Sequence, residues 1–213
     1  MNSTKYGKKI QSDKPVDKMR EDVERYCVLA KERGAAEAKM ISSSEVIVDQ
    51  RVKFKCQYPV CGSFGTSMNC PPYTANSDET KELLELYSYG VLMMFKYPAA
   101  RMMEREKRVL DGRNLAKVIA AVESSAFYDG HYLSIGFGAG SCKSTWCNEQ
   151  TSCSSLEGKG CRHDSFARAS MEGVGMDVYK MAAKQGWDIY PIGKSCTSVD
   201  VPEGIRLSLV LIG

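Results

Sequence analysis

Histidine is nearly missing from this chain of 213 residues, which carries only His131 and His163. That shortage leaves little material for a His-rich zinc centre or a Cys–His nucleophile pair. A dominant charge is missing too: 29 Lys and Arg face 26 Asp and Glu, for a formal net charge of +3. So small and mixed a balance argues against nucleic acid or an anionic membrane as partner. Long hydrophobic runs are absent. Runs such as Val91–Phe95 and Leu209–Ile212 fall far below the roughly 18–20 apolar residues of a membrane span. The first 15 residues, MNSTKYGKKIQSDKP, lack the apolar centre of a signal peptide. These absences predict a cytoplasmic protein. A content of 43% hydrophobic and 26% charged residues suits a folded core, here expected as a single α/β domain over 1–213.

What the chain has instead is nine cysteines. Disulfides are disfavoured in a reducing compartment, and an odd number leaves at least one thiol unpaired. Clustered cysteines in such a chain point to metal or redox chemistry. Seven fall in two groups: Cys56-x4-Cys61-x8-Cys70, followed by Pro71-Pro72, and Cys142-x4-Cys147-x5-Cys153-x7-Cys161. Cys27 and Cys196 stand outside both. Cys27 lies on the apolar stripe of a helix and reads as core, whereas Cys196, in Lys194-Ser195-Cys196-Thr197, is an auxiliary ligand candidate.

Periodicity places these groups between regular elements. Helices are expected over 16–33, over Asp78–Ser88, over Arg101–Ser125 with a break at Asp111-Gly112, and over Met176–Gln185. Strands are expected over Ala38–Val48 with a bulge or turn at Ser42–Ser44, and over Val91–Tyr97, His131–Phe137, Trp187–Tyr190 and Ile205–Ile212. Strands alternating with helices predict an α/β sandwich with a mixed sheet and right-handed crossovers. The cysteines occupy loops at 56–73 and 138–165, rich in glycine, where backbone N–H groups can turn toward sulfur. Gly136-Phe137-Gly138-Ala139-Gly140 follows a strand but leads into cysteines and not into a helix, so a dinucleotide loop fails on context. The methionines at 93, 94, 102, 103, 171, 176 and 181 read as core filling.

Four thiolates satisfy either one tetrahedral zinc or one 4Fe–4S cluster. Zinc sites usually use short Cys-x2–4-Cys knuckles presenting two sulfurs from one turn. No Cys-x2-Cys pair occurs here, and the wide spacings favour a cluster. Cys142, Cys147, Cys153 and Cys161 suffice to close one, which suits electron transfer. Cys56, Cys61 and Cys70 supply three ligands. The fourth is Cys196, Cys27, a partner's residue, or nothing from protein, and an open iron would suit Lewis-acid or sulfur chemistry, with Lys53, Lys55 or Glu45 assisting.

The segment Cys61-Gly-Ser-Phe-Gly-Thr-Ser-Met-Asn-Cys70-Pro-Pro-Tyr resembles the first signature of the predicted metal-binding cysteine-rich proteins, a domain of unknown function (family 2284). Gly140-Ser-Cys142, Cys161-Arg162-His163 and Arg168-Ala-Ser-Met-Glu-Gly-Val-Gly-Met-Asp-Val178 are similar to its second. The resemblance covers roughly residues 35–212 and implies metal binding, without naming a reaction. The family occurs largely in anaerobic archaea and bacteria, which fits oxygen-sensitive clusters. Two departures stand out: the family's second loop has tighter cysteine spacing, and its usual Arg-Pro-Ser is Arg168-Ala169-Ser170 here. Ser165–Val178 is expected to set a helix N-terminus beside the cluster, with Arg162 and Arg168 favouring its negative charge.

The leading expectation is therefore an iron–sulfur protein with one or two 4Fe–4S clusters, passing electrons to a redox partner protein in anaerobic metabolism. An enzyme built on a three-cysteine open cluster is the second, and a structural zinc scaffold the third.

Overall fold

Two ten-residue strands, β2 (Tyr89–Pro98) and β4 (Glu203–Ile212), form the spine of the fold, paired antiparallel with Val91 opposite Val210 and Leu92 opposite Leu209. Both are buried on both faces, so they read as nearly continuous apolar runs. The structure is a computed structural model, and it describes residues 10, 15–193 and 196–213. Most of the leading polar segment and Lys194-Ser195 lie outside those residues. β1 (Glu37–Ser42) pairs with β2, and β3 (Ile135–Phe137) with β4, giving a four-stranded sheet of order β1-β2-β4-β3.

Every pairing between these four strands is antiparallel, which corrects the mixed sheet with right-handed crossovers. Helix–strand alternation suggests parallel strands only when each crossover returns to the same end of the sheet. Here β1 and β2 are joined by a long excursion that comes back antiparallel. The apolar runs did not betray this, because a sheet covered on both faces erases the in–out alternation of an ordinary antiparallel sheet.

One face carries two helices. α1 (Val16–Glu32) turns Val23, Tyr26, Cys27 and Ala30 inward at helical spacing, and Gly34, at φ 116°, ends the turn. α5 (Arg105–Tyr128) packs Leu115, Val118, Ile119, Val122 and Ala126 beside them against Val91, Met93, Phe95, Val210 and Ile212. Each such aliphatic or aromatic side chain contributes roughly 1.5–3 kcal/mol by burial. The break expected at Asp111-Gly112 occurs instead at Glu104, between α4 (Ala99–Met103) and α5. Asp111 stays helical because its buried carboxylate receives both Nε and Nη2 of Arg101. Gly112 lies tight against Thr145: a Cβ there would meet Thr145 Oγ1 at 3.0 Å.

The opposite face packs Leu92, Met94, Leu207, Leu209 and Leu211 against Val46, Leu84, Met171, Val174, Met176, Met181 and Trp187. These come from α3 (Ser77–Glu85), α7 (Val178–Lys184) and irregular chain. α3 begins at an Asn76–Glu79 capping box. Residues Ser43–Glu45 form a 3-10 turn after β1, so the strand expected to reach Val48 stops early; Val48 makes only an isolated bridge to Met176. Residues 187–190 form no strand, and Trp187 is held by its place in the core. His131 also precedes its strand; it is buried in the loop before β3. Among the described residues, no helix is long and apolar enough to cross a membrane.

Candidate metal centre

Both cysteine groups sit at one edge of the sheet, and local structure explains how each arrives there. A helix that the sequence did not reveal, α2 (Gln50–Gln57), carries Cys56 in its last turn. Its N-terminus is fixed by Asp49, whose side chain accepts from Arg51 N–H. Lys53 donates to the carbonyls of Thr74 at 3.0 Å and Ala75 at 2.6 Å, closing the base of the first segment. Turns then bring the three cysteines round: Cys61 N–H donates to Cys56 C=O at 2.9 Å, and Gly65 N–H to Pro71 C=O at 2.7 Å. Gly65 has φ 69°, a conformation that a side chain would strain.

The second segment starts where β3 runs out. Gly138 and the returning Ser170 pair as a parallel bridge, with Gly138 N–H on Ala169 C=O and Met171 N–H on Gly138 C=O. That bridge closes residues 139–169 into one loop. Its first part is α6 (Cys142–Trp146), so Cys142 is helical and not in the loop the sequence suggested. α5 holds this short helix: Arg113 Nε donates to Thr145 C=O at 3.0 Å, and its guanidinium lies 5.6 Å from the Trp146 ring centre.

Cys142, Cys147, Cys153 and Cys161 all line one small cavity of about 20 Å³, together with Ser67, Met68 and Asn69 of the first segment. Such a space is close to that of a single water. Trp146 forms part of its wall and stacks on His163 and Phe166, with centroids 5.3 and 5.2 Å away. Nitrogen donors converge on the sulfurs. Asn69 Nδ2 is 3.6 Å from Cys142 Sγ, and His163 N–H is 3.4 Å from Cys161 Sγ. Burial pushes the Cys153 thiol up, but N–H groups of Met68, Leu156 and Ser155 outweigh it and set the thiol below its usual range. For Cys142, burial dominates and raises the thiol, against help from Ser67 and Asn69.

The two segments touch. Cys70 Sγ lies 3.5 Å from Ser141 Oγ, and Cys142 Sγ 3.6 Å from Ser67 Oγ. Burial raises the Cys56 thiol, and negative charge at Cys61, Cys70 and Glu172 adds to the shift. Cys61, Cys70 and Glu172 therefore all lie near Cys56. Cys196 engages its own loop, accepting from Gly193 N–H at 3.4 Å. Cys27 is buried between α1 and the sheet.

The helpers expected around the first group have other employment. Lys53 ties carbonyls, and Glu45 accepts from Ser42 N–H in a capping box. Residues 165–177 form no helix apart from a 3-10 turn at Glu172–Val174, so the helix N-terminus expected beside the cysteines is α7, outside the lining of their cavity. Arg168 is bound to Glu123 at 2.6 Å, whereas Arg162 does line the cavity. Asn69, Ser67 and Trp146 carry no motif in the sequence, since only the packing of one segment on the other shows their role. Among the described residues, no three His, Cys, Asp or Glu side chains gather closely enough to hold a single metal ion.

An antiparallel sheet covered by helices on both faces, with seven cysteines gathered at its edge, defines a cysteine-rich α/β protein. Over residues 39–212 the chain matches the family described as predicted metal-binding protein (DUF2284). The match covers most of its length, and the protein belongs to that family. No curated protein and no solved structure matches it.

Proposed function

We propose that this is a cytoplasmic iron–sulfur protein, whose Cys142, Cys147, Cys153 and Cys161 hold a 4Fe–4S cluster and which passes electrons to a partner protein. The observation that carries the reading is the convergence of those four side chains, spread over 20 residues, on one cavity. The wide spacings between these cysteines favour a multi-iron centre over zinc, whose sites usually use short knuckles. The donor set fits as well: three of the four sulfurs have N–H donors aimed at them, as thiolate ligands of a cluster do. A cluster supplies one-electron chemistry when bound. The chain's part is to anchor four thiolates, to screen them behind Trp146, and to leave Cys161 exposed at the surface for exchange with a partner.

Cys56, Cys61 and Cys70 form a second site with three thiolates. An enzyme reading draws support from Glu172 and a large cavity beside this trio, where a ligand could approach. Purification without oxygen, followed by iron and sulfide assay, tests the main reading. About four irons and four sulfides per chain, or twice that, are expected; stoichiometric zinc without sulfide overturns it.

A further inference from the structure

A cavity of about 670 Å³ opens between the two cysteine segments and the edge of β4. Its size lies within the range of small-molecule sites. Arg105 and Arg108 of α5, Lys143 of α6 and Arg206 of β4 line it, and Glu172 is its one acidic residue. Among the described residues, none of the four cations has an ion-pair partner within 4 Å. Arg206 Nη1 donates only to Arg108 C=O at 3.3 Å. Burial pushes its guanidinium below the usual range, with Tyr97 and Asp111 opposing the shift. Four cations around one concave space raise its positive potential, which draws an anion toward it. Guanidinium groups meet carboxylate or phosphate through two parallel hydrogen bonds.

Glu172 supplies the second, independent observation. Its Oε2 is enclosed and has no hydrogen-bond partner. An enclosed, unpaired carboxylate oxygen costs free energy until a donor reaches it. We propose that this cavity binds a small organic acid that offers carboxylate or phosphate to the arginines and a hydroxyl or amine to Glu172. The cations rest on α5, α6 and β4, not on cysteine ligands, so the proposal does not depend on which metal the protein holds. Its place beside Gly62 and Ser63 of the first segment and Ser141 of the second would bring the bound acid next to both cysteine groups.

Calorimetric titration of the protein as purified tests this, with L-malate, succinate and inorganic phosphate as probes and iron measured on the same sample. Malate is expected to bind below about 1 mM and at least tenfold tighter than succinate, which lacks the hydroxyl. Affinity should fall as salt rises. Arg105→Gln/Arg108→Gln, two exposed positions, should weaken malate at least tenfold without lowering the melting temperature. Absence of saturation by any probe up to about 20 mM overturns the proposal. So does binding that ignores the double substitution, or malate and succinate binding alike. Because iron is counted on the same sample, loss of binding with full iron, or binding without iron, separates this proposal from the cluster reading.

Discussion

The thiol of Cys70 lies 3.5 Å from the hydroxyl of Ser141, the residue immediately before Cys142. The last cysteine of one segment thus meets the residue just before the first cysteine of the other, 71 positions away in sequence. Cys142 is the hinge of this arrangement, since it also faces Asn69 and Ser67. Cys142→Ala is expected to remove at least half of the bound iron and to disturb the remainder. Cys27→Ala, at a site packed between α1 and the sheet, should leave iron unchanged. Iron and sulfide per folded chain after anaerobic purification check this. Equal losses from the two variants would show that the cavity is not the metal site.

Trp146 gives an optical readout of the same cavity. It lines the space shared by the four cysteines, while the other tryptophan, Trp187, is buried in the core against the sheet. Metal and sulfide entering the cavity should quench Trp146 emission. In a Trp187→Phe background, stripping the metal is expected to raise fluorescence several-fold, and reconstitution to lower it again. Emission that ignores metal content would place the metal elsewhere.

Much of this arrangement is legible in the order of the residues. Helical spacing locates α1 and α5, and apolar runs locate β2 and β4, because each buries a whole stripe or both faces. The four-cysteine group is legible from count and spacing alone. Three things are not. Strand direction is hidden because the sheet is covered on both sides. α2 is hidden because it buries no residue of its own, so Gln50–Gln57 carries no apolar stripe. The meeting of the two segments is hidden because it rests on Ser67, Asn69 and Ser141, polar residues whose partners only the fold brings near. Gly112 shows the limit in one residue: beside Asp111 it reads as a helix breaker, yet it is the notch into which Thr145 fits.

Asp111 carries that helix mechanically. Its side chain is 3% exposed and that of Arg101 34%, so the pair is half-sheltered. Removing one partner of the pair leaves the other's charge unmatched, and the exposed side of Arg101 moderates that cost. Asp111→Asn should lower stability measurably in urea denaturation. Arg101→Met/Asp111→Leu, which removes both charges and keeps volume, is expected to recover at least half of the loss. A double variant no better than the single one would deny the pair its role in joining α4 to α5.

Alkaline pH should expose the role of Cys27. Burial pushes its thiol from 9.0 up to about 11, against the pull of Lys31. In the unfolded chain the thiol ionises near 9, whereas the folded protein keeps it neutral. Stability from this group is therefore complete below pH 9 and is lost as pH rises through 11. A shift of two units corresponds to roughly 2–3 kcal/mol. Cys27→Ala removes that slope, though it costs about 1 kcal/mol at neutral pH through lost packing. The variant is expected to be the less stable at pH 8 and the more stable near pH 11, with the two curves crossing between. Tyr97, raised by burial to about 12, contributes a later loss between pH 10 and 12 that Tyr97→Phe should remove while leaving the crossing in place. Urea melts at fixed pH from 8 to 11, on samples of matched metal content, decide the matter. A Cys27→Ala penalty that stays constant across that range would mean that the thiol is not held neutral by its burial against the sheet.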